Sequence, residues 1–156
     1  MDRETACFFT GHRAFPNNDG VMEKLYYQIE KKINEGVCDF IAGGALGFDT
    51  ACAKAVIKCR EKYSQIRLHL YLPCYDQMKK WSAYDSYIAR LIMSKADEKL
   101  YVTEGLYTPQ CMHKRNRKMA EDAKYCIAYC TNLKSGTAKT IAMARELGDE
   151  VINIAK

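Results

Sequence analysis

Proline and tryptophan are scarce in this chain, three and one in 156 residues, and no segment is repetitive or low in complexity. That excludes a collagen-like, proline-rich or disordered chain. No apolar run approaches the ~20 residues that a membrane span needs. The opening Met1-Asp2-Arg3-Glu4 carries no apolar stretch of signal-peptide type, which predicts a cytoplasmic protein with no membrane partner. There is no C-x-x-C pair, and His12, His69 and His113 stand far apart, so neither a metal nor another cofactor is expected. G-x-G-x-x-G and the Walker lysine are also missing, which removes the common dinucleotide fingerprint and the P-loop.

What is present is the composition of a globule, 48% hydrophobic and 28% charged. A chain of this length can bury roughly two-thirds of its unfolded surface, so it needs no cross-links. Residues 1–156 are expected to form one domain. The eight cysteines read as core packing. Cys52 and Cys59, seven apart among alanines, share a helix face, and Cys126 and Cys130 share a strand face. The net charge of +5 is spread along the chain, as on solvated helix faces. One basic segment stands out, His113-Lys114-Arg115-Asn116-Arg117-Lys118.

Short apolar runs alternate with amphipathic stretches. Strands are expected at Thr5–Phe9, Cys38–Ala42, Ile66–Leu72, Lys99–Val102, Tyr125–Tyr129 and Val151–Ile154. Between them, Val21, Leu25, Ile29 and Ile33 mark a helix closed by Gly36, and further helices are expected at Phe48–Tyr63, Trp81–Lys95, Cys111–Ala123 and Gly136–Leu147. In the third of these five, Tyr84, Ile88 and Leu91 recur at helical spacing. Strand–helix alternation predicts an α/β fold, a Rossmann-like three-layer α/β/α sandwich with a mainly parallel sheet. Ligands of such sheets bind beyond the carboxyl ends of the strands.

Four loops fall at those ends. Thr10-Gly11-His12-Arg13 combines a tight turn with a forked cationic donor. Gly43-Gly44-Ala45-Leu46-Gly47-Phe48-Asp49 is glycine-rich and opens a helix, which suits an anion, while Asp49 suits sugar hydroxyls or a plain helix cap. In the basic helix, placing Met112 and Met119 inward puts Arg115 and Asn116 on the same buried face. An inward arginine requires a partner, either an internal carboxylate or a ligand anion. Ser135-Gly136-Thr137 offers an N-cap with free amides. Trp81, or one of Tyr71, Tyr75, Tyr84, Tyr87 and Tyr107, could stack a base.

Taken in order, Phe9-Thr10-Gly11-His12-Arg13, the Gly43–Asp49 loop, Arg115-Asn116-Arg117 and Ser135-Gly136-Thr137 resemble the SLOG superfamily, which groups DprA-like, YpsA-like and LOG proteins. Leu72-Pro73, Gln77 and Trp81 point to the YpsA-like branch of bacteria or phages. The resemblance implies a Rossmann-like domain that binds a nucleotide or nucleotide-derived ligand, such as an ADP-ribose, NAD-derived or cyclic nucleotide signal. It does not fix an activity; the leading expectation is a sensor or sequestering role without catalysis, and a homodimer is expected from how common homodimers are among relatives. The ligand-binding candidates are Gly11, His12, Arg13, Gly43, Gly44, Asp49, Trp81, Arg115, Asn116, Ser135, Gly136 and Thr137. Arg115 and the amides of the last helix would take phosphate, and Asp49 would take ribose.

Two alternatives come with the family. LOG enzymes hydrolyse nucleoside 5′-monophosphates between base and ribose phosphate with an arginine and a glutamate. Met112 to Met119 retains the arginine position as Arg115, but Thr140 stands where the glutamate belongs, which argues against the hydrolase. DprA-like proteins bind single-stranded DNA. This reading ranks second because the basic residues form no long stripe in the sequence.

Overall fold

A computed structural model describes all 156 residues. Six strands alternate with five helices: β1 (Ala6–Gly11), α1 (Asp19–Asn34), β2 (Asp39–Ala42), α2 (Phe48–Cys59), β3 (Arg67–Leu72), α3 (Ala83–Lys95), β4 (Glu98–Tyr101), α4 (Cys111–Asp122), β5 (Tyr125–Tyr129), α5 (Gly136–Glu146) and β6 (Glu150–Asn153). The sheet order is β4-β3-β2-β1-β5-β6, and every pairing is parallel. This is the Rossmann-like architecture that the alternation predicts. No helix is long and apolar enough to cross a membrane.

Central strands buried on both faces read as continuous apolar runs. In β1, Cys7 and Phe9 join a core cluster with α1, α2 and α3, while Ala6 and Phe8 join a second cluster with α4 and α5. The sheet is thus covered by three helices on one face and two on the other. Phe8, Phe9, Phe40 and Phe48 are wholly buried, each contributing about 1.5–3 kcal/mol. All eight cysteines are free and seven are buried. Cys52 and Cys59 lie in the first cluster and Cys126 and Cys130 in the second. Burial pushes the Cys7 thiol up to about 12.

Strand limits shift by one or two residues, and three expectations about the helices change. The helix expected from Trp81 starts at Ala83, because the Ser82 hydroxyl accepts the Asp85 amide at 3.0 Å and caps it. The helix expected to reach Tyr63 ends at Cys59, where amides of residues 61 and 62 turn back three residues to Lys58 and Cys59. Helical spacing on α3 does not mark a buried face: Tyr84 and Leu91 are exposed and the buried residues are Ser86 and Ile92.

Candidate ligand-binding cleft

Loops leaving β1, β2, β3 and β4 converge at one end of the sheet. The Phe48 amide donates to the His12 carbonyl at 3.1 Å, and a Cβ on Gly11 would overlap the Phe48 ring. In the β2 loop, Gly44 and Gly47 have φ of +70° and +80°. A Cβ on Gly47 would overlap the Arg13 carbonyl oxygen. Glycine is required there because the backbone needs a positive φ and the β1 loop passes directly over it.

Arg115 reaches under this loop from α4 and is only 4% exposed. Its Nη1 donates to the carbonyls of Gly43 and, at 3.5 Å, Tyr71, and its Nε donates to Asn116 Oδ1 at 2.8 Å. Asp49, also buried, accepts the Ala45 amide at 3.4 Å. A Cβ on Gly43 would sit 2.7 Å from Arg115 Nη1 and 2.8 Å from Asp49 Oδ2, so the two side chains flank the same glycine. Burial pushes the Asp49 carboxyl up to about 6, against the opposing pull of Arg115 and the Ala45 and Gly43 amides. Burial also lowers Arg115 below the ordinary guanidinium value, against the pull of Asp49. Desolvation therefore outweighs attraction, and the two charges brace the loop at a net cost in stability.

Above the brace lies a cleft of about 700 Å³ lined by Gly11, Arg13, Ala45, Leu46, Asp76, Gln77, Lys79, Lys80, Trp81, Tyr107 and Met112. Its walls are tied together. Gln77 Nε2 donates to the Gly44 carbonyl at 3.1 Å, the Tyr107 amide to Asp76 Oδ1 at 2.8 Å, and the Tyr75 amide to the Gly105 carbonyl at 2.8 Å. Arg13, Lys79 and Lys80 are exposed and take part in no ion pair. Cations beside aromatic rings in a concave site suit an anion carrying a flat ring.

The twelve candidates separate into three places. Gly11, Arg13 and Trp81 line the cleft. Gly43, Asp49, Arg115 and Asn116 lie beneath or beside its floor, with Gly44 and Asp49 lining a small inner cavity of about 20 Å³. The internal partners that Arg115 requires are chiefly carbonyls and Asn116, with Asp49 across Gly43. His12 accepts the Thr131 amide on Nε2 at 2.9 Å, which ties the β1 loop to the β5 loop. Beyond that tie, Ser135 caps α5 by accepting the Ala138 amide at 3.1 Å, and Ser135, Gly136 and Thr137 do not line the cleft. Thr140 is buried, its hydroxyl donating to the Gly136 carbonyl at 3.0 Å.

Met112 is 39% exposed and faces the cleft, contrary to the inward placement expected from its spacing to the buried Met119. The buried stripe of α4 runs through Cys111, Arg115 and Met119, four residues apart, and Met112 sits one position off it. Lys79 and Lys80 are the cleft-lining cations absent from the residues singled out in the sequence. They occupy a loop and join Arg13 only through the fold, so no charge run announces them.

The YpsA family model, described as the YspA SLOG family, matches residues 8–149. The SPbeta prophage-derived protein YoqJ of Bacillus subtilis is 31% identical over 136 residues, covering 80% of each chain. A UPF0398 protein of Bacillus cereus is 22% identical over 88% of this chain and 76% of its own. Among solved structures, DNA processing protein A of Helicobacter pylori, described with a single-stranded DNA binding mode, superposes with a TM-score of 0.68 at 14% identity. Its counterpart from Streptococcus pneumoniae gives 0.64 at 18%. Both superpositions cover nearly all of this chain, 96% and 95%, but only 64% and 49% of those longer proteins. The fold is shared with the DprA proteins, and on the family match and the YoqJ similarity the chain belongs to the YspA SLOG family.

Proposed function

We propose that this protein binds a nucleotide or nucleotide-derived anion in the cleft, as a sensor or sequestering protein. One observation carries the reading: three cations without ionic partners and two aromatic side chains, Trp81 and Tyr107, converge on one cleft at the carboxyl ends of the strands. Its volume lies in the range of about 300–1,000 Å³ usual for small-molecule sites. Arg13, Lys79 and Lys80 would take phosphate, and Trp81 would stack the base. Asp49 and Arg115 act through the loop they brace. Binding rather than turnover is favoured by Thr140, whose hydroxyl is committed to its own helix.

A thermal-shift panel of AMP, ADP-ribose, NAD and cyclic nucleotides tests this. A true ligand at 100 times its dissociation constant adds about 2.7 kcal/mol of stability. No shift with any of them overturns the reading. The second reading, single-stranded DNA, is favoured by the fold shared with DNA processing protein A of Helicobacter pylori and that protein's single-stranded DNA binding mode. It predicts binding of a fluorescent dT oligonucleotide that weakens steeply with salt, and salt-insensitive or absent binding removes it.

A further inference from the structure

We propose that the cleft has a second subsite, so that the ligand class is two nucleotide units joined by phosphate rather than a mononucleotide. This inference rests on the cleft reading above and goes further.

Arg13 and Leu46 line the main cleft and also an adjoining one of about 320 Å³, set against the β1 loop, α2 and the start of α3. The adjoining cleft repeats the chemistry of the first. Its cation is Lys54, exposed and in no ion pair, and its rings are Phe15 and Tyr84. Phe15 is held edge-on by Phe48 and Tyr129, with ring centres 5.6 and 5.8 Å away, so it offers a fixed surface. Tyr84 is 69% exposed. The one acidic residue lining the cleft is Asp85, suited to sugar hydroxyls rather than phosphate. Arg13, shared by both, stands where a linking phosphate would pass, and its planar fork suits phosphate oxygens.

Two sources supply this chemistry: a pyrophosphate-bridged dinucleotide, or the end of a single nucleic-acid strand. Only a strand would continue into the groove between α2 and α3, which shares Lys54 and Ile88 with the second cleft and adds Lys58 and Lys95.

Calorimetric titration of AMP, NAD, the dinucleotide pApA and dT10 separates these cases. Stacking of one further base is worth roughly tenfold in affinity, so NAD or pApA is expected to bind about tenfold tighter than AMP. K54E combined with Y84A should bring the two-unit ligand to within about twofold of AMP. AMP itself, confined to the first cleft, should change by less than about twofold. Single K54E, a substitution on an exposed helix face, gives the same reading in smaller measure if the double variant does not fold. An advantage for NAD alone assigns the pyrophosphate-bridged source. A further gain for dT10, lost in K58E/K95E, assigns a strand. AMP bound as tightly as NAD and pApA, or a two-unit advantage surviving both K54E and K54E/Y84A, overturns the second subsite alone. Failure of all four probes overturns the cleft reading and the subsite with it.

Discussion

The floor and the rim of the cleft are built on opposite principles. On the floor, Arg115 and Asp49 are buried against backbone groups, and Gly11 and Gly47 are crowded by Phe48 and Arg13. On the rim, Arg13, Lys79 and Lys80 stand in solvent without ionic partners. Residues of the recognisable motifs mostly shape the loops, whereas much of the cleft's charge comes from positions outside them. Mutations should therefore separate: floor changes act on stability, and rim changes act on binding.

The largest effect is expected at Gly47. G47A sets a side chain at φ +80° against the Arg13 carbonyl, and strain plus overlap should cost about 4 kcal/mol, lowering the thermal midpoint by roughly 10 °C. Calorimetry checks this, and a midpoint like that of the parent would mean the loops do not meet as described. R115M should cost about 3 kcal/mol in urea unfolding, because it leaves the Gly43 carbonyl without its donor and removes the charge that offsets the buried Asp49.

Asp49 gives a pH-dependent version of the same contrast. Its carboxyl sits at about 6 in the folded chain, against about 3.9 unfolded. Between those values the folded state holds the proton that the unfolded state has released. Its contribution is thus fully present below about pH 4 and is lost as pH rises through 6, amounting to about 2–3 kcal/mol. D49N should match the parent near pH 4 and exceed it by about that amount at pH 7 in urea titrations at the two pH values. Asp149, also raised to about 6 by burial despite Arg3, will leave part of the slope in the variant. Identical slopes for parent and D49N would contradict a buried carboxyl under the loop.

The smallest effect on stability is expected at the rim. K79E/K80E should change unfolding free energy by less than about 0.5 kcal/mol, as surface substitutions do. The same variant should weaken AMP binding at least tenfold, since two attractive charges become repulsive; unchanged affinity would place the phosphate elsewhere.

This contrast also explains what could be read from the sequence. The succession of strands and helices and the fold class were legible because β1, β2 and β5 are short apolar runs between amphipathic helices, a pattern set by local periodicity. The glycine loop and Arg115 were legible as unusual, since glycines and a buried cation demand a reason. Their division of labour was not, because it depends on which loop passes over which: Gly47 answers to Arg13, thirty-four positions earlier in the chain. Lys54, Lys79 and Lys80 are ordinary surface lysines until the fold gathers them around Arg13. Met112 faces the cleft because the buried stripe of α4 is set by Cys111, Arg115 and Met119, and the seven-residue spacing to Met119 alone does not distinguish Met112 from its neighbour Cys111.

Trp81 offers the most direct test of the division between floor and rim. Titration calorimetry of AMP against W81A, paired with the variant's thermal midpoint, reads both properties on one protein. Loss of a stacked base should weaken binding about 5- to 100-fold, with the midpoint moving by no more than about 3 °C, the equivalent of roughly 1 kcal/mol in a chain of this size. Parent-like affinity, or a collapse of stability in place of binding, would contradict the account.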